Sequence, residues 1–328
     1  MRIVKNMLAA ILFAVAGSGA MAQPYELTLS GASPSGLWTM LGVGLDGAVK
    51  AAYPGSTITY QTSGGGFANI GLIDRGKAPL GLAHDAELRI AVHGDKPFTK
   101  PITSLRAIAR LYDWAPMQML MSKSFADAHG IRTFEDIARV KPPLRIAFNK
   151  RGNITEFVAV KMLNAIGVEL ADIEKWGGAV IYAASSEQGD LMKDKRVDMF
   201  ANGVFVRTNF ILQAGHSVPL VLLPVSEPTI KKISDDLGVR RFVVKANSYE
   251  WQPEDVPTVS LGALLFVNED MDEKIAYDIA RALNEHIDKL RSVHGSFRDM
   301  PTSLLVEQNV IPFHEGAEKY YRSVGMIK

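Results

Sequence analysis

Segments in which apolar residues alternate with polar ones and segments with helical spacing succeed each other along the chain. Residues 25–30 and 56–61 show the alternation that is typical of strands, and helical spacing follows at 37–52 and 70–76. The second half repeats this order with strand candidates at 144–148, 179–182, 196–201 and 218–224. Strands that alternate with helices predict parallel sheets, so the pattern indicates an α/β fold.

The apolar runs also indicate two domains and the places where the chain passes between them. Residues 105–111 and 117–121 predict two strands on either side of a break at 114–116. The run 258–267 predicts a strand that returns the chain to the first domain, and 272–293 predicts one long amphipathic helix. We therefore expect a first lobe at 23–115, a second lobe at 116–257, and a return to the first lobe with C-terminal helices at 258–328.

Three consecutive glycines between a predicted strand and a predicted helix mark the first candidate site. Consecutive backbone N–H groups at the start of a helix form an anion site, whereas a tight turn requires only one or two glycines. The glycine spacing does not fit a dinucleotide fingerprint, and no Lys-Ser/Thr pair follows to make a phosphate-binding P-loop. The candidate ligand contacts here are Ser63, Gly64, Gly65, Gly66, Phe67 and Asn69.

Two further segments of the first half follow predicted strands. Ser35 lies in a loop of small residues and is a candidate ligand contact as well as a candidate cap for the next helix. Trp38 is either a pocket wall that contacts the ligand or a core residue. His84 and Asp85 end a strand, where they either contact a ligand or, for Asp85, cap the helix predicted at 86–92. A catalytic dyad is disfavoured because no nucleophile motif accompanies the pair.

The second half offers the same strand–loop–helix arrangement. The loop at 149–153 precedes the helix predicted at 154–166, and a second strand ends at 202–203. Arginine can hold a carboxylate with two parallel hydrogen bonds, so Arg151 is the first candidate anion holder and Arg207 the reserve; the alternative for each is a solvated surface side chain. The candidate contacts here are Asn149, Arg151, Asn153, Thr155, Asn202, Gly203 and Arg207.

Composition and charge exclude several classes of function. The 328 residues carry 36 basic and 35 acidic side chains, and a near-neutral chain has no field with which to collect nucleic acid. No Cys is present, and the seven His show no H-x-x-x-H spacing, so we predict neither a metal site nor a cofactor. We expect no catalytic residues, because no acid–base constellation is visible.

The N-terminus has the pattern of a secretory signal peptide. Arg2 and Lys5 precede an apolar run at 7–16, and Ala20-Met21-Ala22 matches a cleavage site. The run is too short to cross a bilayer, which argues against a membrane anchor. We expect residues 1–22 to be removed and the mature chain to be a soluble monomer in a Gram-negative periplasm.

The end of the chain carries the most specific motif. Residues 311–325 resemble the terminal signature of the TAXI family, Pro-x-His-x-Gly-Ala-x-x-Tyr-Tyr-x-x-x-Gly. These proteins are the extracytoplasmic solute receptors of TRAP transporters. Residues 62–65 with Asn69 are similar to the family's Gly-Gly-Ser-x-Glu-Asn stretch, and 194–200 to its Gly-x-x-Asp-Ala-Phe-Phe segment. The resemblance covers essentially the whole mature chain.

The resemblance implies a type II periplasmic binding protein with two α/β lobes around a ligand cleft and hinge crossings between them. It also implies delivery of a small organic anion, a carboxylate, to TRAP transporter membrane subunits, with an ion gradient as the driving force. Positions near the expected ligand depart from the family: 37–38, 66–68, 84–85 and 150–153. The alternatives are a receptor of an ATP-driven importer, a periplasmic ligand sensor, or an enzyme with the same architecture.

Overall fold

The computed structural model describes residues 24–32 and 37–328, so the predicted signal peptide and Ser35 lie outside the described residues. The strands are β1 (Glu26–Ser30), β2 (Thr57–Gln61), β3 (Leu80–His84), β4 (Leu105–Ser122), β5 (Arg145–Phe148), β6 (Ala179–Tyr182), β7 (Met199–Gly203), β8 (Leu220–Leu222), β9 (Arg240–Val244) and β10 (Val256–Asn268). The helices are α1 (Leu37–Ala52), α2 (Gly66–Asp74), α3 (Asp85–His93), α4 (Lys123–His129), α5 (Asp136–Val140), α6 (Ile154–Ala165), α7 (Leu170–Lys175), α8 (Ser185–Lys193), α9 (Asn209–Ser217), α10 (Glu227–Leu237), α11 (Glu273–Glu285), α12 (Ile287–Arg291) and α13 (Glu315–Ser323). Two short 3-10 helices span Gly295–Phe297 and Thr302–Val306.

The described strands form one curled sheet in the order β2-β1-β3-β10-β4-β7-β5-β6, with β8 on β4 and β9 on β10. Strands β1, β2 and β3 are parallel to one another, as are β5, β6 and β7. The two long strands β4 and β10 are antiparallel to each other and connect these two parallel groups. This arrangement confirms the predicted α/β fold with two lobes, to which β4 and β10 both contribute.

The predicted break between two strands at 114–116 is wrong, because β4 passes through it as one strand of 18 residues. Pro116 lacks an N–H group, yet it pairs with Ser260 of β10, and its carbonyl accepts a hydrogen bond from the N–H of Val204. The register between β4 and β10 shifts between Leu261 and Ala263, so the ladder is irregular close to this position. An irregular ladder tolerates a proline that a regular central strand would not.

The helix predicted over 272–293 is also shorter than expected. It divides into α11 and α12 at His286, whose backbone dihedrals of −122° and 38° are not helical. Helix α1 forms as predicted, and Leu41, Leu45 and Val49 are buried at its four-residue spacing. Burial of each such side chain contributes about 1.5–3 kcal/mol, which anchors α1 to the sheet.

The terminal signature fixes α13 to the rest of the fold. His314 caps the helix by accepting a hydrogen bond from the N–H of Gly316 over 3.2 Å. A Cβ atom on Gly316 would lie 2.0 Å from the carbonyl oxygen of Glu273, so only glycine allows α13 to approach α11. The hydroxyl of Tyr321 donates to the carbonyl of Ile108 in β4 over 3.0 Å. The signature therefore explains how the chain end packs against α11 and β4.

Candidate ligand-binding site

The carboxyl ends of the parallel strands lead into the segments that the sequence marks as candidate sites. These segments, here called the strand-end loops, follow β1 and β2 in one lobe and β5, β6 and β7 in the other; β3 runs directly into α3. Ligands of open α/β sheets bind outside the carboxyl ends of the strands. The strand-end loops, with the start of α3, are therefore the candidate site, although residues 33–36 lie outside the described residues.

The three glycines after β2 have different structural roles. Gly65 caps α2 with a φ of 93°, which favours glycine, and has no atom within 4 Å of where a Cβ would lie. A Cβ on Gly66 would lie 1.8 Å from Oε2 of Glu87, whereas one on Gly64 would lie 3.2 Å from the Cβ of Ala68. Local geometry therefore explains why glycine occurs at two of the three positions, Gly65 and Gly66. The N–H groups of the first helical turn have no acceptor within α2 and are available to an anion.

Asn69 ties the glycine loop to the sheet. Its side-chain amide donates to the carbonyl oxygens of Gly31 and Leu82, both over 2.7 Å, and its Oδ1 lies 2.6 Å from the hydroxyl oxygen of Ser63. Asn69 is fully buried, and these hydrogen bonds within the protein give its buried side-chain polar atoms partners. Phe67 is half-buried and packs edge-on against another aromatic ring, 5.9 Å between centroids. Asn69 therefore positions the loop, and its predicted ligand contact stays a prediction.

A chain of hydrogen bonds joins Trp38 to Glu87 through the end of β3. The indole N–H of Trp38 donates to the hydroxyl of Tyr112 over 3.1 Å, and this hydroxyl lies 3.2 Å from Nε2 of His84. Nδ1 of His84 lies 3.0 Å from the carboxylate of Glu87, which also accepts the His84 backbone N–H over 2.8 Å. Trp38, Tyr112 and Glu87 are buried, and the side chain of His84 is 16% exposed.

The hydrogen-bond chain has one arrangement of protons that satisfies every member. Indole nitrogen can only donate, so the Tyr112 oxygen accepts from Trp38 and donates its own proton onward. Burial raises the pKa of the Tyr112 phenol, which keeps that proton in place at neutral pH. Nε2 of His84 must then accept, and Nδ1–H donates to Glu87. The arrangement places a proton of His84 on Nδ1 and makes Nε2 the acceptor.

Asp85 has a structural partner rather than the predicted capping role. His84 occupies the N-cap position and Asp85 is the first residue of α3, so the predicted Asp85 cap is wrong by one position. The carboxylate of Asp85 lies 3.3 Å from Nη1 of Arg110 and accepts N–H bonds from Ala86 and Gly262, each over 3.0 Å. Burial raises the pKa of this carboxyl, while the charge of Arg110 acts to lower it.

An aromatic cluster connects the hydrogen-bond chain from Trp38 to Glu87 with the second lobe. The ring of Tyr112 meets that of Phe205, which follows β7, edge-on at 5.4 Å, and both contact Phe297. Trp114 packs against Phe297 at 5.1 Å. Trp38 is 7% exposed and contacts the His84 ring, so the structure favours the core interpretation of Trp38.

Buried amides gather at the strand ends of the second lobe. Asn149 and Asn202 both donate to the hydroxyl oxygen of Ser185, over 3.3 and 2.9 Å, and lie 3.4 Å from each other. Asn202 also donates to Oε1 of Gln188 over 2.9 Å. The structure thus brings the two predicted residues together around a serine that begins α8.

Arg151 lies on the loop after β5 and stacks on an aromatic ring. Its guanidinium carbon is 4.1 Å from the ring centroid of Tyr182, and the side chain is exposed. Asn153 caps α6 by accepting bonds from the N–H and hydroxyl of Thr155, over 2.9 and 2.8 Å. Burial raises the pKa of nearby Glu156, against the lowering effects of the Gly152 N–H and the Arg151 charge.

Gly203 and Arg207 lie on either side of the segment that follows β7. A Cβ on Gly203 would lie 2.7 Å from Cδ1 of Leu261, so glycine permits close contact between β7 and β10. Arg207 is exposed, has a φ of 66°, and donates from Nη1 to the carbonyl of Ser248 over 3.0 Å. Its backbone N–H donates to the hydroxyl of Tyr249. These contacts direct Arg207 toward the segment after β9.

Several residues of this site are missing from the sequence prediction. They are Glu87, Tyr112, Tyr182, Ser185 and Gln188. Ser185 and Tyr182 lie at a predicted strand end, so the rule that selected Asn149 also applies to them. Tyr112 directly follows the strand predicted at 105–111, and no local pattern distinguishes it from core residues.

Two negative findings apply to the part of the chain that the structure describes. No three His, Asp or Glu side chains in it are grouped so that they could hold a metal ion. No helix among the same residues combines the length and apolar character that crossing a bilayer requires.

Solved structures share this fold at low sequence identity. MatC (Rpa3494) from Rhodopseudomonas palustris, with bound malate, is 12% identical with a TM-score of 0.53, over 93% of this chain and 100% of that one. A TctC solute-binding protein from Polaromonas is 14% identical with a TM-score of 0.54, over 93% and 99%. Periplasmic binding protein BugD is 13% identical with a TM-score of 0.50, over 92% and 98%.

Identities this low establish a common fold, that of two-lobed periplasmic binding proteins, and leave the ligand open. The family assignment comes from the sequence itself. Residues 29–325 match the model of the NMT1-like family, and the chain therefore belongs to the NMT1-like family.

Proposed function

We propose that this protein is an extracytoplasmic solute-binding protein that captures a small organic anion in the cleft between its lobes. One observation carries the proposal. Each of the two lobes has polar strand-end loops, and the strands β4 and β10 connect the two lobes within a single sheet. Two lobes joined by a few crossing strands can close on a ligand by a hinge motion. We propose that the moving unit is residues 116–257, whose boundaries fall within β4 and next to the start of β10.

The anionic character of the ligand follows from the donors at the strand ends. The N–H groups of the first turn of α2, which have no acceptor within the helix, carry the positive end of the helix dipole, and Arg151 contributes a full charge from the opposite lobe. A carboxylate accepts hydrogen bonds from both kinds of group. The malate in MatC, which shares the fold, supports a carboxylate as the ligand class.

The terminal signature supports the TAXI subfamily, and with it delivery of the ligand to TRAP transporter membrane subunits. The predicted signal peptide supports a periplasmic location with a mature N-terminus at Gln23. The alternatives on the same fold are a receptor of an ATP-driven importer and a periplasmic sensor. Ligand uptake in cells that contain or lack the TRAP membrane subunits distinguishes these functions.

Mass spectrometry of small molecules released from purified, denatured protein tests the proposal directly. We expect a small carboxylate, and calorimetry with the identified compound should show saturable binding to refolded protein. Small-angle scattering should give a smaller radius of gyration with the ligand than without it. Release of a chemically converted product would favour an enzyme, and an unchanged radius with a tight ligand would exclude lobe closure.

A further inference from the structure

A cavity of about 620 Å³ lies apart from the strand-end loops. Helix α3, strands β4 and β9, the end of α10 and the segment after the second 3-10 helix contribute to its lining. None of the residues that the sequence marks as ligand contacts lines it. The polar side chains that matter here are Arg89, Arg110, Ser234, Asp235, Arg240 and Glu307.

Three buried donors on residues of this lining have no acceptor in the part of the chain that the structure describes. Arg110 is 1% exposed; its Nη1 donates to Asp85, but its Nε has no hydrogen-bond partner among the described residues. The same holds for Nε of Arg89 and the hydroxyl of Ser234, two buried atoms that belong to further residues of the lining. Buried polar groups are almost always hydrogen-bonded, and guanidinium groups can only donate. Three unpartnered donors on residues that line one cavity favour a ligand rich in acceptor atoms.

The acidic side chains of the lining have cationic partners of their own. Asp235 pairs with Lys231 over 2.6 Å, and Glu307 lies 3.3 Å from Arg240. Arg89 has no such partner in the described part of the chain; its Nε lies 3.8 Å from where a Cβ of Gly238 would be, at the end of α10. The negative end of the helix dipole explains why an arginine lies here but supplies no acceptor to that nitrogen.

We propose that this cavity is a second anion site, which binds an oxyanion, either free or as the head group of a larger metabolite. Arg89, Arg110 and Ser234 donate hydrogen bonds to its oxygen atoms. Guanidinium groups match phosphate, sulfate and carboxylate oxygens in geometry as well as in charge. The cavity is within the size range of small-molecule sites, so it has room for a head group with an organic part.

Calorimetric titration of the mature protein with inorganic phosphate, and in parallel with glycerol 3-phosphate, tests this site. Arg89→Gln and Ser234→Ala should each weaken phosphate binding, the arginine change by about tenfold or more, which is the usual cost of losing a hydrogen bond to a charged group. Ser234→Ala should leave the thermal transition in phosphate-free buffer unchanged or higher, because it removes an unpartnered hydroxyl from a helix. Arg110 is left unchanged, since its pair with Asp85 is buried.

Arg196→Gln is the matched control, because Arg196 is exposed and its side chain makes no hydrogen bond or ion pair within the described residues. It should bind phosphate as wild type does. Arg151→Ala, which changes the proposed cleft, reports phosphate binding at that other site. If Arg196→Gln lost as much phosphate affinity as Arg89→Gln does, the binding would be a non-specific charge attraction, and this result would overturn the proposal. So would the absence of saturable binding to wild type, or a loss in Arg151→Ala with none in Arg89→Gln. Tighter binding of glycerol 3-phosphate identifies a head-group site, and tighter binding of phosphate a free-ion site.

Discussion

Gly66 and Glu87 approach so closely that a methyl group on Gly66 would lie 1.8 Å from the carboxylate oxygen of Glu87. Glu87 cannot move away freely, because it accepts both the backbone N–H and the Nδ1–H of His84. The start of α2 and the start of α3 therefore fix each other. A substitution at Gly66 changes both sides of the candidate site at once.

Gly66→Ala should lower the free energy of unfolding by about 1–3 kcal/mol, the usual cost of overpacking, and weaken ligand binding. Gly64→Ala is the matched control, since its methyl group would meet only the Cβ of Ala68, at 3.2 Å. We expect it to cost less than about 1 kcal/mol. Urea unfolding of both variants measures the difference. Equal losses in the free energy of unfolding would show that the Glu87 side chain can move away from the added methyl group.

Asn69→Asp tests the tie between the glycine loop and the sheet. The aspartate has nearly the same shape, but its carboxylate would face the carbonyl oxygens of Gly31 and Leu82, to which Asn69 donates. We expect a loss of about 3 kcal/mol or more in the free energy of unfolding, because a buried charge would face two acceptors. The control is Asn209→Asp, an exposed residue at the start of α9, where an acid is neutral or stabilising. Similar urea midpoints for the two variants would contradict this role of Asn69.

Tyr112→Phe removes the central hydroxyl of the chain from Trp38 to Glu87. The indole N–H of Trp38 and Nε2 of His84 would both lose their partner in a buried environment. We expect a loss of about 1–3 kcal/mol in stability and weaker ligand binding, since His84 would no longer be held in one tautomer. Tyr277→Phe is the control, because the Tyr277 hydroxyl makes no hydrogen bond within the described residues. NMR of the His84 ring nitrogens should show Nδ1–H in the wild type, and the Nε2–H tautomer there would contradict the assignment.

The order of strands and helices was predictable from the sequence, because the periodicity of apolar residues is local. The path of the sheet was not: residues 105–111 and 117–121 form one strand, since the irregular ladder at Pro116 depends on a partner strand distant in sequence. The terminal signature indicated a family of binding proteins, and in the structure the contacts of His314, Gly316 and Tyr321 are with the fold itself.

In the candidate site, too, local sequence pattern predicted some residues and missed those whose role depends on distant parts of the chain. Asn149 and Asn202 were selected because they end strands, and they do meet, around Ser185. Tyr112 was missed because its role depends on side chains that the chain supplies 28 and 74 residues earlier. Hydrogen bonds of that kind follow from the tertiary fold and not from local pattern.

Glu156→Gln should make anion binding at neutral pH roughly two- to tenfold tighter, because it removes a negative charge close to Arg151. The pKa of Glu156 is raised by burial, so the carboxyl takes up its proton earlier as pH falls than a free glutamate does. Wild-type affinity should therefore rise as pH falls through this raised pKa, while Glu156→Gln should lack that rise. Calorimetry at several pH values with the identified ligand measures it, with exposed Glu174→Gln as control. A parallel pH dependence in wild type and Glu156→Gln would exclude Glu156 as the source.

Arg151 is the sharpest test of the proposed carboxylate site. Its guanidinium is exposed and stacked on Tyr182, which holds the plane at the strand ends while leaving its N–H groups free for a ligand. If lobe closure desolvates the ion pair, Arg151→Ala should weaken binding by about 2–5 kcal/mol, the usual cost of truncating one partner of a buried charge pair.

Arg151→Lys should also lose affinity, because an ammonium group cannot reproduce two parallel hydrogen bonds or the stacking on Tyr182. Tyr182→Leu should weaken binding less than Arg151→Ala does, because it removes the aromatic ring on which Arg151 stacks but keeps the positive charge of Arg151. Calorimetry on these variants and on Arg196→Ala, an exposed arginine elsewhere in the lobe, separates a specific contact from a general charge effect. Unchanged affinity in Arg151→Ala and Arg151→Lys would remove Arg151 from the site. The N–H groups at the start of α2, with or without Arg207, would then be the anion holder.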